Sequence, residues 1–130
     1  MKISILSVAP PYRGGIAEQT YYMSLNLGKF NDVDVVNFKR QYPSFLFPGK
    51  TQYDNSSIFH LENNYRLVDT MNPISWGKAA NFIIDRAPNL IILRFWNPFF
   101  SISYSYIIKK IKRALPSIKV IAVCDNIIPH

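Results

Sequence analysis

The sequence predicts an α/β domain of the Rossmann-like kind, three layers built on a mainly parallel sheet with helices on its faces. Three observations carry this expectation. Apolar runs alternate with stretches of helical period along the chain. The run Leu90–Phe95, LIILRF, is continuous, as a strand covered on both faces requires. Finally, the first strand passes through a proline loop and a diglycine directly into a helix, which is half of a βαβ unit.

The elements follow in order. Ile3, Ile5, Leu6 and Val8 form a β-branched-rich run that Pro10 and Pro11 end, because proline offers no ladder N–H and restricts the residue before it. Gly14 and Gly15 open a helix whose apolar positions Ile16, Met23, Leu27 and Phe30 recur at spacings of seven, four and three. Its end is expected near Gly28, and after a short link Val33, Val35, Val36 and Phe38 read as the second strand. Residues 39–72 mix aromatics, prolines and basic residues without a period and read as a long irregular excursion. Within it, short strands are expected at Ser57–Leu61 and Tyr65–Val68, around the turn-prone pair Asn63-Asn64.

Asn72-Pro73 supplies a cap residue followed by proline at the first helical position. Trp76, Ala80, Ile83 and Ala87 follow on one face, and Pro88 stops the helix. After the strand Leu90–Phe95, Asn97-Pro98 breaks the chain, and a third helix is expected from Ser101 to Leu115. That helix buries Tyr104, Ile107, Ile108, Ile111 and Leu115 and carries Lys109, Lys110, Lys112 and Arg113 on its other face. Val120–Val123 is the last strand expected, and CDNIIPH follows as a loop.

With 130 residues the chain reads as a single domain, 1–130, large enough for one core. Hydrophobic residues make up 48% and charged residues 18%, which excludes a disordered chain. Fifteen Lys and Arg against eight Asp and Glu leave a formal charge of +7 and favour anionic partners. The one cysteine, Cys124, cannot form an internal disulfide; in the apolar run VIAVC it is expected as a reduced, buried thiol, which fits a cytoplasmic location. The opening apolar run is too short for a signal peptide, and no apolar stretch approaches membrane-spanning length.

A glycine turn at a helix start has a simple chemistry. Glycine takes positive φ and admits close approach of a ligand, and the first helical N–H groups lack partners within the helix. Phosphates suit such a position. The spacing is neither G-x-G-x-x-G nor a P-loop, so Gly14 and Gly15 are read two ways: as a tight strand-to-helix turn, or as a phosphate site. Parallel α/β sheets bind ligands at the carboxyl ends of their strands. Three segments rich in unusual polar residues gather there: PPYRGGIAEQ, RFWNPFF and CDNIIPH.

The opening ISILSVAPPYRGGIAEQT resembles the start of GT-B-fold glycosyltransferases, in particular glycosyltransferase family 4, and FKRQYPSFLFPGKTQYD, NPISWGKAANFIIDRAPNLIILRFWNPFF and VIAVCDNIIPH resemble successive segments of bacterial members. The resemblance covers nearly the whole chain but only the greater part of the family's N-terminal domain; the C-terminal, donor-binding domain has no counterpart here. It implies a part of an enzyme that moves a sugar from a nucleotide-sugar donor to a glycan or lipid-linked acceptor, with this half alone inactive and the missing domain supplied in cis or in trans. No cofactor beyond the nucleotide-sugar substrate and no metal are implied. The alternative from another class is a stand-alone, non-catalytic Rossmann-like binding module, or a subunit that needs a partner chain.

By this resemblance Gly14 and Gly15 face the donor phosphates, and Asp125 and His130 stand where the family commonly places a polar residue near the anomeric carbon. An acceptor hydroxyl attacking that carbon gains from such a base. Asp125 is read equally as a loop residue using its carboxylate on local backbone, and His130 as a terminal residue. Arg13, Glu18, Arg94, Trp96 and Asn97 are assigned to the acceptor-side cleft. Arg94 lies inside an apolar strand and must be satisfied by an internal carboxylate or by an anionic ligand. Trp96, Phe99 and Phe100 are either a sugar-stacking or lipid-facing surface, or core, the commoner place for aromatics at this density. The lysines of the third helix are a solvated face or a contact with an anionic membrane, at the inner face of the plasma membrane. Nucleic acid is not expected, since no binding module is recognisable.

Overall fold

A computed structural model describes residues 1–41 and 59–125. Five strands and three helices follow one another as β1 (Lys2–Leu6), α1 (Gly15–Leu27), β2 (Asp32–Arg40), β3 (Asn64–Asp69), α2 (Pro73–Arg86), β4 (Leu90–Phe95), α3 (Ser101–Ala114) and β5 (Lys119–Cys124). The 3₁₀ turn Pro98–Phe100 joins β4 to α3. All strand pairs are parallel, in the order β3-β2-β1-β4-β5. The expected Rossmann-like α/β architecture is therefore present.

The sheet is central because its strands are apolar on both faces. Ile3 and Ile5 of β1 pack with Val33, Val35 and Ile92 on the α1 side. Leu6, Val36, Phe38, Ile91 and Leu93 pack on the other side against Ala79, Ala80, Ile83, Tyr104, Ile107 and Ile111 of α2 and α3. Each fully buried aliphatic side chain of this kind stabilises by about 1.5–3 kcal/mol. One charged network sits in the second layer: Asp34, buried on β2, accepts from Ser4 Oγ at 2.9 Å and from Arg86 Nε at 2.6 Å. That bond to Asp34 is the main reason the Arg86 guanidinium holds its proton more tightly than usual.

Helix boundaries follow the caps. Asn72 Oδ1 accepts from the Ile74 N–H at 3.1 Å and begins α2 ahead of Pro73, while Ala87 closes it in the left-handed conformation before Pro88. Asn97 Oδ1 does the same for the 3₁₀ turn, accepting from Phe99 N–H at 2.9 Å.

Several expectations are corrected. The stretch 39–72 is less irregular than expected, since β2 runs on to Arg40; the expected Tyr65–Val68 strand is present as β3, paired parallel with β2 at the sheet edge, whereas residues 59–61 carry no strand and the rest of the expected Ser57–Leu61 strand lies outside the described residues. Phe30 follows the end of α1 and is 89% exposed, because the helix stops at Leu27 and the chain turns before the spacing of three can bring Phe30 to the core. Ala17 and Thr20 are buried instead. Cys124 is exposed: β5 is the outer strand, and most of its side chains lack a covering layer. Among the described residues no helix is long and apolar enough to cross a membrane.

Candidate functional site

In the strand order 3-2-1-4-5 the connections leave β1 and β4 in opposite directions, which opens a crevice at their carboxyl ends. The loop after β1 enters that crevice and is clamped from β2. Asn37, fully buried, accepts at Oδ1 from Ala9 N–H (3.1 Å) and Phe38 N–H (2.7 Å), and donates from Nδ2 to the Ala9 and Pro10 carbonyls (both 3.1 Å). Asn64 on β3 adds a second donor to the Pro10 carbonyl at 2.6 Å. The proline loop thus has its backbone groups satisfied by two side-chain amides. Where it meets α1, the Ser7 and Thr20 hydroxyls lie 3.0 Å apart, and Thr20 also donates to the Ile16 carbonyl.

The loop delivers Gly14 at φ 113°, ψ 167°, a conformation essentially reserved to glycine. Gly15 begins α1. Both are exposed, and a side-chain carbon added at either would meet no atom within 4 Å, so the helix start opens to solvent. The Gly14 carbonyl accepts the Glu18 N–H at 3.2 Å. Beside this turn lies a cavity of about 260 Å³ lined by Pro10, Tyr12, Arg13, Gly14, Gly15, Glu18 and Phe59. Its electrostatics are mixed: the N–H groups of the first turn and Arg13 favour an anion, and Glu18, a first-turn carboxylate, competes for the same field.

A second polar cluster lies along α1. Arg94, on β4, is only 3% exposed. Its Nη2 donates to Gln19 Oε1 of α1 and to Asp125 Oδ1 just past β5, the latter at 2.6 Å, while Nε is buried without a partner. Asp125 is tied further by its N–H to the Phe95 carbonyl at 3.0 Å. The internal carboxylate expected for Arg94 is thus Asp125, and this pair joins β4, β5 and α1 at the carboxyl edge.

The remaining candidates divide. Arg13 and Glu18 line the cavity beside the diglycine turn. Trp96 is half-buried and packs 4.6 Å from Phe100 and 6.3 Å from Phe38 between ring centroids, so its ring belongs to the core edge. Asn97 is a cap. His130 lies outside the described residues. Asn37 and Gln19 were not singled out from sequence; Asn37 interrupts an apolar strand just as Arg94 does, and that interruption was its signal, whereas Gln19 has the character of any exposed helical residue. Among the described residues no group of three or more His, Cys, Asp and Glu is placed to hold a metal ion.

No family model matches the sequence, and no curated protein matches it. Among solved structures, a Clostridium thermocellum family 3 carbohydrate esterase is similar, with a TM-score of 0.42 and 16% identity over 93% of this chain and 61% of that one. The chain therefore spans less than two thirds of that structure's length, and a likeness this loose carries neither fold nor chemistry across.

Proposed function

We propose that the chain is the acceptor-side half of a glycosyltransferase, binding the diphosphate of a nucleotide-sugar at the start of α1 and an acceptor in the crevice beside it. The observation that supports this best is the open diglycine turn: Gly14 at positive φ, no atom in the space a side chain would fill, and unpartnered helical N–H groups at the carboxyl edge of a parallel sheet. Phosphate oxygens accept from those N–H groups, and Arg13 adds a cation at the same cavity.

In the transfer step the acceptor hydroxyl forms a bond to the anomeric carbon as the bond from that carbon to the diphosphate oxygen breaks. The nucleoside diphosphate leaves as an anion held at the helix start, and the hydroxyl proton passes to a base. Asp125 is the described residue suited to that role: Oδ1 is held by Arg94, which fixes the carboxylate, and Oδ2 has no partner among the described residues. The donor's nucleotide and sugar lie largely with the second domain, so the 130-residue chain alone supports no turnover.

A second reading, a binding module without catalysis, is favoured by that same ion pair, since a carboxylate that serves Arg94 is explained by structure alone. Calorimetric titration with UDP, GDP and their sugar conjugates tests the first reading. Saturable binding that the Asp125→Asn variant keeps, with transfer restored on adding a donor-binding domain and lost in that variant, supports the transferase; binding with no transfer in either protein supports the module.

A further inference from the structure

Helices α2 and α3 lie side by side on the face of the sheet opposite α1. Their contact is close at Gly77, where an added side-chain carbon would stand 3.5 Å from Lys110 Nζ and 3.7 Å from Tyr106 Oη, and the Trp76 and Tyr106 rings lie 6.0 Å apart. The inward stripe of α3, Tyr104, Ile107 and Ile111, is buried. The outward stripe runs Ile102, Tyr106, Lys109 and Arg113, at the i, i+4, i+7 and i+11 spacing of one helix face. Its first two members are apolar or aromatic and exposed, and its last two are basic.

The outward stripe of α2, Ile74, Lys78, Asn81 and Asp85, begins in the same way but ends in an exposed carboxylate, so the cationic excess lies with α3. Ile74 in the first turn is 70% exposed, matching Ile102 at 73% in the first turn of α3, and Lys78 follows one turn later. Phe99, in the 3₁₀ turn just above α3, is exposed as well. Both helices begin at the carboxyl edge of the sheet, so the two isoleucines, Tyr106 and Phe99 form an apolar rim at that edge. Lys78, Lys109, Lys110, Lys112 and Arg113 form a cationic band one to three turns below. Helix α3 contains no acidic residue.

We propose that this rim and band are a docking surface for an anionic lipid bilayer, with the first turns of α2 and α3 entering the headgroup and acyl boundary and the lysines engaging lipid phosphates. Exposed isoleucines gain nothing from a nucleic acid or a free phosphate, whereas burial at the acyl boundary rewards them. The basic band and the chain's net charge of +7 complement an anionic leaflet. Tyrosine at the junction of the apolar and basic zones suits the interfacial region. Because the rim shares the carboxyl edge with the diglycine turn, docking presents the crevice to the membrane; the surface itself stands independently of the transferase reading.

Vesicle flotation tests it, using the 130-residue chain with liposomes of phosphatidylcholine alone and of equal parts phosphatidylcholine and phosphatidylglycerol. The expected result is binding to the mixed vesicles only, weakened by added salt. Replacing both exposed isoleucines (Ile74→Ser with Ile102→Ser) is expected to weaken binding about tenfold or more. Lys109→Gln with Lys112→Gln is expected to weaken it about fivefold per charge. Both pairs are at exposed positions, so the folded state, checked by circular dichroism, is retained. Ile121→Ser, an equally apolar exposed change on β5, is the control and leaves binding unchanged. No binding to mixed vesicles, equal binding to both compositions, or equal loss from the Ile121→Ser control would each overturn the proposal.

Discussion

At Gly14 the chain needs φ 113° with ψ 167°, and only glycine takes this without strain. Gly14→Ala is expected to destabilise the protein by about 1–3 kcal/mol in urea unfolding, while Gly15→Ala, at an ordinary helix start with open space around it, costs far less. Asn37 is the second sensitive position. Removing its amide strands the Ala9 N–H and carbonyl in the interior and leaves the Pro10 carbonyl to Asn64 alone, and Asn37→Ala is expected to cost about 2 kcal/mol or more. The Arg94–Asp125 pair predicts an asymmetry. Asp125→Ala leaves a buried guanidinium with Gln19 alone and costs about 2–3 kcal/mol, whereas Arg94→Met removes the buried charge and stays within about 1 kcal/mol of the parent. Equal losses in the two variants would contradict the buried-cation account. The residues that declared themselves in sequence did so because their type is costly in its surroundings: glycines at a turn, a cation in an apolar strand. Gln19 carries no such tension, and its role becomes visible only once α1 is laid against β4.

At the scale of elements, the junction of β3 and α2 is held through one residue. The Asp69 carbonyl accepts from Trp76 Nε1 at 2.9 Å and from Ser75 Oγ at 3.0 Å, and its carboxylate receives both Nε and Nη2 of Arg40. The bond from Arg40 is the largest cause of an Asp69 acidity stronger than the ordinary value of 3.8. A carboxylate with a lowered folded pKa contributes stability that is present above the unfolded value and lost as pH falls through the folded one. Unfolding midpoints are therefore expected to drop as pH falls below 3.8, with a shallower drop in Arg40→Gln; the same pH profile in both proteins would remove this pair from the account.

Edge position explains another element. Exposed Cys124 is expected to react with a thiol reagent in native buffer at a rate that added urea, below the unfolding transition, does not change; labelling limited by unfolding would mean β5 is covered in solution. Strands and helices with strong periods and caps, β4, α2 and α3 above all, were legible residue by residue. Strand β3 was placed as a short segment but not as a parallel partner of β2, because pairing across a long excursion depends on tertiary register rather than on local pattern. The exposure of β5 was hidden for a related reason: an apolar run states that a strand forms, not whether it lies inside the sheet or at its edge.

For the whole molecule, the sheet order puts the β1/β4 switch point at the carboxyl edge, where parallel α/β sheets bind their ligands, and the proline loop, α1 and Arg94 meet there. Assays of the 130-residue chain with nucleotide-sugars and glycan acceptors are expected to yield no product, since the proposed diphosphate site supplies only one side of a cleft. The most direct measurement is a titration of the isotopically labelled chain with UDP, reading backbone amide shifts. The account predicts saturable shifts centred on Gly14, Gly15 and the first turn of α1, enhanced in Glu18→Gln, where the competing carboxylate is gone. Shifts absent up to millimolar UDP, or centred away from that turn, would contradict it.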